Sequence, residues 1–268
     1  MSAAASPGEA PGPMIRVEDV TIGYGERIVM SGVSFEVRRG EVFVILGGSG
    51  CGKSSLLKNL IGLQKPMKGR ILVGGRDVAA AEGDERQALL RSFGVMYQSG
   101  ALFGSLTVHE NVRLPLDEFT DLSLRQRDVL AHTRLKMVGL GHAGRRMPSE
   151  LSGGMKKRAA IARALALDPP LVFLDEPSAG LDPVTSAGLD ALILDLARNF
   201  GITFVVVTHE LLSIFAIADR CVMLDASRKT LVAEGKPRTL ADSSEDQAVL
   251  RFFRREAEGA QTDRSQPK

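Results

Sequence analysis

The chain has 268 residues, of which 44% are hydrophobic and 25% charged, enough apolar side chain to bury a large core and to exclude a predominantly disordered polypeptide. Basic and acidic residues nearly balance, 34 against 32, and the formal net charge of +2 gives no electrostatic argument for nucleic acid or an anionic bilayer as partner. The two cysteines, Cys51 and Cys221, make neither a disulfide framework nor a metal-ligand cluster and fit a reducing cytosol, and no apolar stretch approaches the ~18 to 20 residues that cross a bilayer.

Met1 to Pro13 is rich in Ala, Ser, Pro and Gly, with neither a basic start nor an apolar centre, and is expected to be a disordered tail ahead of a domain over 14–240. Ile15 to Val20 and Val33 to Val37 alternate apolar and polar residues, and Ile71 to Val73 follows a Gly-Arg turn; these runs predict a half-exposed antiparallel sheet. Tyr24 lies in a glycine-flanked turn between two of them. Val42 to Leu46, Leu171 to Leu174, Ile202 to Val207 and Cys221 to Leu224 are instead continuously apolar and separated by helical patterns, as in parallel strands covered on both faces. The expected fold class is therefore α/β.

The first of these strands opens into Gly47-Gly48-Ser49-Gly50-Cys51-Gly52-Lys53-Ser54, followed by a helical stretch from Ser55 to Leu60. That is a complete P-loop pattern in the context it requires. Its glycines let consecutive N–H groups turn inward onto phosphate oxygens, and the helix directs its positive end at the same place. Lys53 would supply charge to the β- and γ-phosphates, and the Ser54 hydroxyl could ligate Mg²⁺. Gly47 through Ser55 are the nucleotide-binding candidates here.

Gln98 ends the run Gly94 to Tyr97, and the pattern from about 99 to 168 then turns mostly helical, with apolar residues at three- and four-residue spacing in Leu122 to Val138 and Met155 to Leu167. This predicts a helical lobe inserted into the sheet domain. Ser152-Gly153-Gly154 precedes the second helical run and would form a further anion-binding helix start, with bare amides and a hydroxyl. Strand Leu171 to Leu174 runs directly into Asp175 and Glu176, delivering two carboxylates to the sheet edge where nucleotide would sit. Asp175 would hold Mg²⁺ through water, and Glu176 would polarise the attacking water. In the closing segment 241–268, Ser244 and Gln247 read as a capping-box pair before a short helix carrying Val249, Leu250, Phe252 and Phe253, with a frayed end over Gly259 to Lys268. That helix could pack on its own domain or contact a second copy or a small accessory subunit.

Taken in order, these segments resemble the ATP-binding cassettes of ABC transporters over roughly Ile15 to Gly235. Leu151-Ser152-Gly153-Gly154 resembles the family's signature motif. Tyr24 matches the loop aromatic that stacks on adenine, Gln98 the Q-loop glutamine that senses Mg²⁺ and water, Asp182 in Ser178-Ala179-Gly180-Leu181-Asp182 the D-loop, and His209 the switch histidine at the γ-phosphate. The resemblance implies a P-loop NTPase fold with a RecA-like parallel sheet core, an N-terminal antiparallel β subdomain and the inserted lobe. It implies an ATPase using ATP and Mg²⁺, with Glu176, His209 and Gln98 catalytic, and a head-to-tail homodimer in which Ser152, Gly153 and Gly154 of one copy face the P-loop of the other. A multi-pass permease would be driven from the cytoplasmic face of a bacterial inner membrane, with no nucleic-acid partner.

Within the family, Met96-Tyr97-Gln98-Ser99-Gly100-Ala101-Leu102-Phe103, the Met155 that follows the signature, Met147-Pro148-Ser149-Glu150 and Val249 to Arg254 resemble the Mla and MCE-associated phospholipid-trafficking cassettes. That resemblance implies an MCE-domain substrate-binding protein as a further partner, with lipid handled by the partners alone. Import of amino acids or other small solutes stays open, as does a non-transport ABC ATPase, although the segment between Gln98 and Ser152 is too short for the long heptad arms of repair members.

Overall fold

The structure is a computed structural model that describes residues 12–254; the expected tails therefore lie almost wholly outside the described residues. In chain order the elements are β1 (Ile15–Tyr24), β2 (Arg27–Val37), β3 (Val42–Gly47), α1 (Lys53–Leu60), β4 (Lys68–Val73), β5 (Arg76–Asp77), α2 (Gly83–Arg91) and β6 (Phe93–Met96). There follow α3 (Val108–Phe119), α4 (Leu124–Met137), a 3₁₀ turn (Pro148–Glu150), α5 (Gly153–Ala164), β7 (Leu171–Asp175), α6 (Pro183–Phe200) and β8 (Thr203–Val207). The chain continues through α7 (Leu211–Ile217), β9 (Arg220–Asp225), β10 (Thr230–Gly235), α8 (Pro237–Ser243) and α9 (Gln247–Arg254).

Two sheets result. The alternating runs form an antiparallel sheet of order β2-β1-β4-β5, and the continuously apolar runs form a sheet of order β10-β9-β3-β8-β7-β6 whose inner pairs are parallel. The alternation of side chains along each buried strand sends successive residues to opposite faces. Val42, Val44 and Leu46 of β3, with Val172 and Leu174 of β7, join a core shared with α5, α6 and α7. Phe43 and Ile45, with Leu171 and Phe173, join a second core under α1 and the antiparallel sheet. That is why these strands read as unbroken apolar runs.

Between β6 and β7 lie α3, α4, the 3₁₀ turn and α5, and these helices are well capped. Thr107 and Glu110 form a capping box on α3, and Ser123 and Gln126 form one on α4. The lobe has no core of its own: Val108, Val112 and Leu116 of α3 and Ala131 and Leu135 of α4 belong to the same cluster as Ile161 of α5 and the strands. The C-terminal segment differs from expectation. Ser244 ends α8 and does not cap the next helix with Gln247; Asp246 does so, its carboxylate accepting the Ala248 N–H at 2.8 Å and pairing with Arg228. The side chain one residue from the helix start reaches its orphan N–H, whereas the Ser244 hydroxyl accepts only from the Asp246 N–H. Val249 and Phe253 are buried, and the Phe253 ring lies 5.6 Å from that of Phe215 on α7, so α9 packs on its own domain.

Candidate functional site

The carboxyl ends of β3, β7 and β8 and the glycine loop after β3 meet around a cleft of about 830 Å³. Gly47 ends β3 at φ 149°, and a Cβ there would lie 2.5 Å from the Leu224 carbonyl oxygen, so only glycine fits. Gly52 caps α1 in the left-handed conformation (φ 98°), turning the first N–H groups of the helix toward the cleft. Lys53 is folded back, its ammonium donating to the carbonyls of Gly47 (2.8 Å) and Gly48 (3.0 Å). The cleft is lined by Gly47, Gly48, Ser49, Gly50, Gly52, Lys53, Ser54 and Ser55, by Tyr24 with its hydroxyl 3.1 Å from Ser55 Oγ, and by Gln98, Glu176 and His209. The Cys51 side chain points away into the second core, and burial pushes its thiol pKa up, so its part in the cradle is confined to the main chain.

At the end of β7 the two carboxylates have distinct settings. Glu176 is buried, with φ 45°, an unusual backbone for a residue with a side chain. Its N–H donates to the Val207 carbonyl at 2.8 Å, and Oε1 lies 2.8 Å from His209 Nδ1, whose ring is more than half exposed to the cleft. Asp175 is half-buried and does not line the main cleft; it faces a shallow hollow beside Gln98. Burial, then the charge of Glu176, push its carboxyl above the ordinary carboxylate range, opposed by Lys157 and Lys53. Asp175 Oδ1 and Glu176 Oε2 are buried without a hydrogen-bond partner, which fits a cation in front of them. No cluster of three metal-ligating side chains exists among the described residues. A hard ion that needs only one carboxylate, a hydroxyl such as that of Ser54, water and phosphate oxygens, as Mg²⁺ generally does, would suit that poverty of ligands.

Four further sequence candidates lie elsewhere. Ser152 and Gly153 are exposed at the start of α5 and are absent from the cleft lining, as is Gly154. The Ser152 hydroxyl accepts the Met155 N–H at 3.3 Å, and a Cβ on Gly154 would sit 2.4 Å from Thr185 Cγ2, so the turn is pressed onto the first turn of α6. Asp182 is exposed and caps α6, accepting from the N–H groups of Val184 and Thr185.

The cleft also contains residues that motif reading missed. Arg27, Lys229 and Phe252 contribute to its wall, the last from α9. Lys157 is buried on α5 and donates to the main-chain carbonyls of Gln98 and Glu176. A signal for Lys157 was present: it shares the spacing of Ala160, Ile161 and Ala164, the buried stripe of that helix.

Comparisons with known proteins agree with this geometry. A family model described as "ABC transporter" matches residues 30–179, more than half of the chain. The chain is 40% identical to the probable ribonucleotide transport ATP-binding protein mkl of Mycobacterium leprae, over 94% of this chain and 72% of that one. It is 37% identical to the intermembrane phospholipid transport system ATP-binding protein MlaF of Haemophilus influenzae, over 92% of each chain. Among solved structures, the post-hydrolysis dimer of the cassette MJ0796 bound to ADP and Pi superposes with a TM-score of 0.74 at 32% identity, over 83% of this chain and 98% of that one.

Proposed function

The chain belongs to the ABC transporter family, whose cassettes hydrolyse ATP with Mg²⁺ to drive a membrane permease, and on that basis we propose that two copies enclose ATP between them and energise the movement of phospholipid. The observation that carries the paired arrangement is a division within one chain. The phosphate cradle, Glu176 and His209 share one cleft, while the exposed helix start at Ser152 and Gly153 lies outside its lining. A second copy related by a twofold axis brings that helix start over the phosphates, and the dimeric cassette supports this reading.

In the assembled site the P-loop amides and Lys53 hold the phosphates, and Tyr24 stacks on adenine. Glu176 accepts a proton from the attacking water, His209 steadies both Glu176 and the γ-phosphate, and Gln98 orients that water and would help to hold Mg²⁺. Ser54 and Asp175 would hold Mg²⁺, which would supply neutralising charge to the transferring phosphoryl oxygens. Donors fixed in a closed site do this more effectively than mobile water.

Phospholipid is the substrate class supported by coverage, because the match to the MlaF protein runs the length of both chains, whereas the ribonucleotide-transport relative extends well beyond the matched region. Among the described residues no helix is long and apolar enough to cross a membrane, and lipid is handled by a multi-pass permease and an MCE-domain protein while this subunit sits at the cytoplasmic face of the inner membrane. The membrane complex captured on the tagged chain, reconstituted in liposomes with fluorescent phospholipid, is expected to transfer lipid only with ATP. Stimulation by a soluble nucleotide or amino acid and its binding protein, with no lipid transfer, would replace this substrate class by a solute.

A further inference from the structure

Lys157 is only 7% exposed and stands among alanines on the buried side of α5. A buried ammonium costs several kcal/mol unless every proton finds a partner, so its position calls for a physical reason. Its partners are main-chain carbonyls on two different loops of the nucleotide site: Gln98, and Glu176 at 3.2 Å. Glu176 is held in a left-handed backbone conformation that costs on the order of 1–3 kcal/mol and persists only where its surroundings enforce it. Its N–H is fixed to Val207; its carbonyl is fixed by Lys157 and by the Ala179 N–H at 3.2 Å. The strained peptide that aims the carboxylate is thus clamped at both ends, one clamp being a side chain of α5. The N-terminus of that same helix is the Ser152-Gly153-Gly154 turn.

We propose that Lys157 is a positioning residue that locks Glu176 and Gln98 of its own nucleotide site to the signature helix, so that engagement of that helix start by the second copy's ATP is felt at this chain's hydrolytic carboxylate. The coupling rests on the paired reading above; the local clamp does not. Loss of the clamp lets the Glu176 peptide relax and its carboxylate drift, and a misplacement of about 1 Å costs about 10²-fold in rate. The P-loop and Tyr24, which supply affinity, make no contact with Lys157 in the hydrogen-bond network.

The test uses full-length chain in its membrane complex. Lys157→Met keeps the stem and removes the donors; Lys157→Arg keeps donors. The expected result for Lys157→Met is ATP affinity within about 3-fold of wild type and a kcat lowered about 10- to 100-fold, with Lys157→Arg restoring kcat to within about 5-fold. An unchanged kcat, or a parallel loss of affinity, melting temperature and kcat that Arg does not rescue, would overturn the proposal. Should the Met variant fail to fold, Lys157→Leu, which likewise carries no donor, takes its place under the same criteria. Ser152→Arg separates the two readings: full turnover there with loss in Lys157→Met would remove the paired arrangement and leave the clamp standing, whereas the reverse pattern would remove the clamp alone.

Discussion

Asp175→Asn tests the cation site with two readouts of opposite sign. In the ion-free protein Asp175 Oδ1 is buried with no partner, and both burial and the adjacent Glu176 disfavour its ionised form. Its folded-state pKa is raised, so the folded protein holds the proton more firmly than the unfolded chain. The ionised form therefore costs stability in full at neutral pH, and that cost fades as pH falls through the raised value toward the ordinary 3.8. An unpartnered oxygen on a side chain that is only half-buried as a whole belongs at the low end of the cost of such groups, about 1 kcal/mol. Asparagine has the same shape and no charge, so the nucleotide-free variant should melt about 2–4 °C higher than wild type at pH 7. The gain should shrink as pH is lowered toward 4. Scanning calorimetry in EDTA measures it. Hydrolysis should fall at least about 100-fold in the same protein, because the developing phosphoryl charge loses its counter-ion's anchor. An Asp175→Asn protein that melts lower than wild type at pH 7, or that hydrolyses ATP at more than a tenth of the normal rate, would refute a cation facing this carboxylate.

Glu176→Gln leaves the cradle intact and removes the proton acceptor; kcat should drop about 10²- to 10⁴-fold with ATP affinity held within a few-fold, and the protein should elute as a nucleotide-dependent dimer in gel filtration. Elution as a monomer with ATP and Mg²⁺ present would contradict ATP as the glue between copies. Tyr24→Ala should weaken ATP binding by about 1–3 kcal/mol, roughly 5- to 150-fold in Kd, while Tyr24→Phe, which loses only an exposed hydrogen bond to Ser55, should stay within about 3-fold; titration with a fluorescent ATP analogue reads both.

What could be read from sequence was local in the chain. The P-loop is contiguous, and its glycines are dictated by backbone angles that hold in any fold containing it; Asp175 and Glu176 follow directly from a strand whose apolar run announces burial on both faces. The ends of α4 and α5 were legible to within a few residues, whereas α3 was not set apart within the lobe. The C-terminal cap was misplaced because Ser, Asp and Gln at 244, 246 and 247 all suit a cap, and the choice of Asp246 is made by Arg228, which a hairpin brings across from β9 and β10. Phe252 in the cleft wall was invisible for the same reason: α9 reaches that wall only after the sheet is assembled. Lys157 stood at a buried spacing, yet its partners lie on loops distant in sequence, and no period in a helix reveals what a long side chain finds beyond the helix.

The absence of a separate core in the helical lobe bears on how hydrolysis could become movement. Close-packed interiors do not deform smoothly, and a helix shared by two elements moves as a unit or not at all. The middle of α5 is that shared helix: Ala159, Ala160 and Ile161 lie in one cluster with α3 and α4 on one side and the strands on the other. Arg163, near its end, donates to the carbonyls of Gly100 and Ala101, where the chain leaves Gln98 for the lobe. A small rotation of α5 therefore carries the lobe surface, the Gln98 loop and the Ser152 turn together. Phe103 is more than half exposed just beyond that loop, where a permease could receive the displacement. The lobe would then behave as a lever fixed to the nucleotide site at its root, and the contacts that fix it are main-chain carbonyls gripped by two cations, the buried Lys157 and the partly buried Arg163, whose loss would leave the cleft formed but its strokes unconnected.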